Sequence, residues 1–194
     1  MSDNVRWHAG EVSHDARANA SLSTGCTVWL TGFSGSGKST IAHRLEGVLV
    51  ESGRGAYCLD GDNVRFGLNG DLGFSPDDRA ENVRRVGEVA RLMADAGLVA
   101  IAPLISPYER GRLSVASAHA EAGIPFFLVH VSTPLEACEE RDTKGLYARA
   151  RAGEVPDFTG ISAPYEAPES PDLTIDTTEV SVDDAVAAVL SLIP

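Results

Sequence analysis

Basic residues are scarce in this chain: 16 Lys and Arg stand against 28 Asp and Glu, a net charge of −12. That deficit argues against nonspecific binding to nucleic acid or to anionic membranes, so neither is expected as a partner. A protein this acidic can hold polyphosphates only by gathering its few cations at one place. No apolar run approaches membrane-spanning length, and Ile124-Pro-Phe-Phe-Leu-Val-His-Val131 reads as a buried strand. Met1 to His8 contain no apolar core of a secretory signal, and a cytoplasmic location is expected. The cysteines are only three, Cys26, Cys58 and Cys138, widely spaced in apolar surroundings, which points to buried, reduced, structural thiols. The five histidines show no ligand spacing, so no transition-metal site is expected. Neither internal repeats nor a linker divides the 194 residues, enough for one α/β domain and too few for two.

What is present is Gly32-Phe33-Ser34-Gly35-Ser36-Gly37-Lys38-Ser39, set between an apolar run, Cys26 to Thr31, and a helically spaced stretch beginning at Thr40. This is the phosphate-binding loop pattern in its strand–loop–helix context. Glycines let the backbone take positive φ and bring N–H groups to phosphate oxygens. The following helix directs the positive end of its dipole at the same anion. Lys38 is placed to reach the β/γ-phosphates and Ser39 to ligate Mg²⁺. The chain is expected to bind a nucleoside triphosphate.

Residues 1–24 are polar without a clean period and read as an arm laid over the domain or a partner subunit, with residues 25–194 forming the domain. Helix 40–52 ends at Gly53 and Gly55, and strand 56–59 delivers the acidic pair Asp60 and Asp62 to the sheet edge where ligands bind in open parallel sheets. Either Asp could orient chemistry or simply cap a turn beside Gly61. Ser75-Pro76-Asp77-Asp78 is a helix start, and Val83, Val86, Ala90 and Met93 share one face of the helix that follows to Ala96. Strand 98–102 delivers Ile105 and Ser106. A helix to about Ala122, strand 126–131, a helix from Thr133, strand 173–176 and a helix capped by Ser181 complete the chain. Five strands alternating with helices predict a three-layer α/β/α fold with a mostly parallel sheet.

Among phosphate-loop proteins, the lack of Asn-Lys-x-Asp argues against a guanine-reading switch protein, and the lack of Leu-Ser-Gly-Gly-Gln against a transporter ATPase. Strand three ends in Leu-Ile-Ser instead of the acid typical of motor ATPases. An acid pair after strand two, with an arginine-rich segment around 141–165 where small kinases carry a water-excluding lid, leads to a small-molecule kinase.

The segments Leu59–Arg65, Gly73–Arg79, Glu81–Arg85, Ile105–Tyr108, Lys144–Tyr147 and Phe158–Ile161 resemble the adenylylsulfate kinase family, and Trp7, His8 and Arg17 in the arm also fit. The resemblance implies MgATP-dependent phosphorylation of the 3′-hydroxyl of adenosine 5′-phosphosulfate, the step that yields an activated sulfate donor, by a homodimer. It implies that Lys38, Asp62, Ser106 and Lys144 are catalytic, and that Gly32 to Thr40 with Arg141 bind ATP, Arg141 stacking on its adenine. On the acceptor side it implies Asp62, Arg65, Phe74, Arg79, Asn82, Ile105, Ser106, Lys144, Leu146 and Phe158, with Phe74 and Phe158 clamping the base. Mg²⁺ would sit on Ser39 and, directly or through water, Asp62. Ser106 is associated in the family with a proposed phosphoserine intermediate, yet no base stands beside it in sequence, and direct in-line transfer is the physical expectation. Arg84 and Arg85 read as a solvated face or local ion pairs. The chain departs from the family pattern at Phe66, where His is usual, and at Thr143, where Pro is usual. Phe66 keeps open a related kinase with another acceptor; a catalytically silent nucleotide-binding paralogue is the further alternative.

Overall fold

The structure, a computed structural model, describes residues 12–21 and 24–194. In chain order its elements are α1 His14–Ser21, β1 Cys26–Thr31, α2 Lys38–Glu51, β2 Ala56–Cys58, α3 Gly61–Val64, α4 Pro76–Asp95, β3 Val99–Pro103, α5 Glu109–Glu121, β4 Phe126–Val131, α6 Leu135–Arg141, α7 Leu146–Arg151, β5 Leu173–Ile175 and α8 Val182–Leu190. The five strands form one all-parallel sheet in the order β2-β3-β1-β4-β5. Central β1 and its neighbour β3 are buried at every residue, as strands covered on both faces must be.

Alternation along β1 sends successive side chains to opposite layers. Val28 and Leu30 pack with Ile41, Leu45 and Leu49 of α2 and with Val186 and Val189 of α8. Trp29 packs on the other side with Val83, Val86 and Ala90 of α4 and Val115 of α5. Each fully buried Leu, Ile or Val contributes roughly 1.5–3 kcal/mol to this framework. Met93, expected on the same face of α4, is only partly buried. The start of α4 follows its sequence: Ser75 Oγ accepts from the Asp78 N–H at 3.2 Å and Pro76 occupies the first turn.

Two helices were not anticipated. α1 lies within the segment expected to be an irregular arm, and Arg17 joins it to α4 through Asp95 at 2.8 Å. Trp7 and His8 fall outside the described residues. α7 lies in the expected lid, where Tyr147 and Ala150 pack with Cys138 and Phe158 in a small core of their own. Its arginines pair locally, Arg149 with Glu154 and Arg151 with Glu139, and neither lines the cavity described below. Among the described residues no helix is long and apolar enough to cross a membrane. The three cysteines are buried and unpaired, and burial pushes the Cys26 thiol up to about 11.

Candidate active site

The ends of β1, β2 and β3 open into one cavity of about 430 Å³. From β1 comes the phosphate loop. Gly32 has φ 149°, and a Cβ there would meet the Val131 carbonyl oxygen at 2.3 Å, so only glycine fits. Gly37, at φ 102°, turns the chain into α2. Lys38 Nζ folds back over the loop, donating to the carbonyls of Gly32 at 2.9 Å and Phe33 at 2.6 Å and reaching Ser36 Oγ at 3.3 Å. Burial pushes the Lys38 ammonium down to about 8, and the nearby Lys144 charge acts in the same direction.

After β2 the two acids divide their tasks. Asp60 is the cap, its Oδ1 accepting from the Asp62 N–H at 2.9 Å and the Asn63 N–H at 3.4 Å. The Asp62 carboxylate is thereby left to face outward, where Lys144 Nζ donates to its Oδ2. Asp62 and Lys144 both line the cavity, with Ser34, Gly35, Gly37, Lys38, Ser39, Thr40 and Arg141.

A second cluster of cations borders the same space. Arg65 donates to the Gly73 carbonyl at 2.9 Å, and its guanidinium lies 4.3 Å from the centroid of the Phe74 ring. Arg79, in the first turn of α4, donates to the Phe74 carbonyl at 2.8 Å, to Thr159 Oγ1 at 2.6 Å and to the Asp157 carbonyl. Burial and then the Arg79 charge hold Arg65 below the usual guanidinium range. Asn82 is buried, accepting from Asn69 Nδ2 at 3.0 Å. Five of the 16 Lys and Arg (Lys38, Arg65, Arg79, Arg141 and Lys144) thus line one cavity of an otherwise acidic chain.

Ile105 and Ser106 follow β3. Ser106 has φ 38°, a strained position for a residue with a Cβ. Its Oγ accepts from Trp29 Nε1 at 3.0 Å and lies 3.4 Å from the Leu104 carbonyl, while its own carbonyl accepts from buried Arg112 at 2.6 Å. No imidazole, carboxylate or amine partners the hydroxyl among the described residues.

Gly32, Phe33, Ser36, Leu146 and Phe158 do not line the cavity. Phe33 packs against Tyr165 at 4.9 Å, and Phe158 is buried edge-on to Tyr147 at 5.0 Å, whereas Phe74 is exposed at the cavity rim. Phe66, where the family pattern has His, is 92 % exposed and absent from the lining. Thr143 does line it. Arg84 and Arg85 form local pairs with Glu81, and Arg85 with Asp71, as expected.

Sequence reasoning missed a second, smaller cavity of about 190 Å³ that shares Gly37, Thr40 and Arg141 with the first and adds Thr177, Val180 and Ala185. Arg141 is fixed at its edge by Thr177 Oγ1 at 2.7 Å and the Thr177 carbonyl at 3.1 Å. Thr177 follows the end of β5, and the strand-end rule could have singled it out. Trp29 and Arg112, which position Ser106 from a strand and a helix interior, carried no such signal.

The adenylylsulphate kinase family model matches residues 24–176. An adenylyl-sulfate kinase from Saccharomyces bayanus is 50% identical over 189 residues, 97% of this chain and 93% of the relative. One from Shewanella pealeana is 53% identical over 190 residues, 98% of this chain and 91% of the relative. Among solved structures, the APS kinase CysC of Mycobacterium tuberculosis in complex with AMPPNP and APS superposes with a TM-score of 0.85 at 53% identity, covering 88% of this chain and 98% of that one. The chain belongs to the adenylylsulphate kinase family.

Proposed function

We propose that the cavity is where this chain, an ATP-dependent adenylyl-sulfate kinase, brings two nucleotides together and passes the γ-phosphoryl group of ATP directly to the 3′-hydroxyl of adenosine 5′-phosphosulfate. The observation that carries the reading is the second cation pair, Arg65 and Arg79, opening on the same cavity as the phosphate loop, with Asp62 and Lys144 in its lining. One anion site suits the triphosphate; the other suits an acceptor that is itself an anionic nucleotide.

The loop backbone from Gly32 to Thr40 and the N-terminus of α2 hold the triphosphate, with the smaller cavity beside Arg141 and Thr177 taking the ATP base. Lys38 exchanges its loop carbonyls for β/γ-phosphate oxygens. Arg65, Arg79 and Asn82 hold the acceptor's phosphosulfate and ribose, and Phe74 offers its face to the acceptor base. Phe158 and Leu146 support this end from within the lid core. Ser39 and Asp62 are hard oxygen donors in one cavity, the donor type Mg²⁺ takes; when bound, the ion neutralises phosphate charge. Asp62 orients the 3′-hydroxyl and accepts its proton as the new oxygen–phosphorus bond forms and the bond to ADP breaks. Lys144 beside it stabilises charge on the transferring group, and the lid over residues 141–165 excludes water. Ser106, already bonded to Trp29, lines the acceptor side without forming a covalent intermediate.

The test is purified protein with MgATP and a panel of acceptors, products resolved by chromatography. Equal amounts of ADP and 3′-phosphoadenosine 5′-phosphosulfate are expected. Transfer only to another acceptor, or to none, would overturn the assignment. The chain acts as a homodimer, and a monomer mass in sedimentation would remove that part. Three buried unpaired thiols and the need for ATP fit a cytoplasmic setting.

A further inference from the structure

Helix α2 and strand β2 meet where His43, Glu46 and Cys58 converge, each offering one ligand atom, all within 4.8 Å of one another. His43 and Glu46 are three apart on α2 and share a face. Cys58 ends β2 and is buried beneath them. Glu46 Oε1 accepts from the Cys58 N–H at 2.8 Å. Glu46 Oε2 lies 3.8 Å from His43 Nδ1, and His43 Nε2 lies 3.8 Å from Asp60 Oδ2, both beyond hydrogen-bond reach. None of the three lines either cavity.

A helix-surface His–Glu pair alone would be unremarked, but here a buried thiol from another element joins it, with the imidazole on the exposed side. Burial, then Glu46 and Asp60, pushes the Cys58 thiol up to about 12. The anions that oppose a third negative charge favour a dication that replaces the thiol proton. We propose that His43, Glu46 and Cys58 form a binding site for a thiophilic divalent cation of the zinc and cadmium class, separate from the Mg²⁺ position at the triphosphate.

Imidazole nitrogen, carboxylate oxygen and thiolate sulfur are the donors such ions take, and three protein ligands leave a position for water. Tetrahedral bonds of about 2.0–2.3 Å place ligand atoms roughly 3.3–3.8 Å apart, so binding would draw the exposed His43 ring and the other two ligands closer together. On binding, the Cys58 S–H bond breaks, a sulfur–metal bond forms and the proton passes to solvent; no electron moves. Sequence spacing could not show the site, because the thiol comes from a different element.

The full chain is titrated with Cd²⁺ in millimolar Mg²⁺, following the ultraviolet sulfur-to-cadmium charge-transfer band. A stoichiometric band is expected. It should disappear in Cys58→Ser, weaken about tenfold or more in apparent affinity in His43→Ala, and persist in a Cys26→Ala, Cys138→Ala double variant. His43 is exposed, so its variant keeps the fold even if a cysteine variant does not. No band, a band that survives Cys58→Ser, or one that Mg²⁺ abolishes would overturn the proposal.

Discussion

Lys144 donates to the carboxylate of Asp62 in α3, just after β2, closing a contact between residues 82 positions apart. Both side chains stay more than half exposed, so the pair stabilises the fold by no more than about 1 kcal/mol. The role proposed for it is chemical. A double-mutant cycle of Asp62→Asn and Lys144→Ala, unfolded by denaturant without nucleotide, should give a coupling below about 1 kcal/mol. Turnover should fall strongly in each single variant. A coupling several times larger, with turnover preserved, would make the pair a structural clasp.

Lys38→Ala should fold normally and lose roughly 3 kcal/mol or more of transition-state stabilisation, a drop of a hundredfold or more in kcat. Near-normal kcat in a folded variant would remove the loop from catalysis.

Lys38 also sets a pH dependence. Its ammonium is held at about 8 in the free protein because burial disfavours the charged form. A triphosphate favours that form, so ATP binding raises its pKa and draws in a proton. The sign follows: near pH 8 binding takes up part of a proton, near pH 6 Lys38 is already charged and takes up none, and affinity falls as pH rises above 8. Calorimetry in buffers of different ionisation enthalpy reads this directly. Equal heats in all buffers at pH 8 would contradict it.

Arg79→Ala should weaken acceptor binding by about 1.5–3 kcal/mol, the scale of a hydrogen bond to a charged group, and leave ATP affinity nearly unchanged. Its bonds to Thr159 and the Asp157 carbonyl also tie α4 to the lid. If ATP binding fell while acceptor binding survived, the two nucleotide ends of the cavity would be reversed.

The extent to which the sequence could be read depends on where each feature's parts lie. The phosphate loop is contiguous, so its glycines, Lys38 and Ser39 were legible at once. Asp60 and Asp62 flank the same glycine and look equivalent; only the turn of α3 decides that one caps and the other projects. Phe66 and Phe74 are both aromatic residues near acceptor motifs, yet one points to solvent and the other lies beside Arg65. The strands were legible because buried parallel strands are apolar throughout, whereas α7 is a helix of six residues whose apolar contacts come from α6 and Phe158, beyond its own periodicity. The slot beside Thr177 and the His43, Glu46 and Cys58 cluster assemble residues from separate elements.

Ser106→Ala should retain measurable turnover, slowed because the Trp29 indole N–H loses its acceptor and the acceptor site shifts. Complete loss in a folded variant would point to a nucleophile.

The most direct measurement of the central claim, that one cavity passes the phosphoryl group between two nucleotides without a stop on the protein, is stereochemical. ATP made chiral at the γ-phosphorus is turned over with adenosine 5′-phosphosulfate, and the 3′-phosphate of the product is analysed. A single in-line displacement gives inverted configuration, the result expected from the Lys38, Asp62 and Lys144 arrangement. Retained configuration would require two displacements, place a phosphoserine at Ser106 and contradict direct transfer.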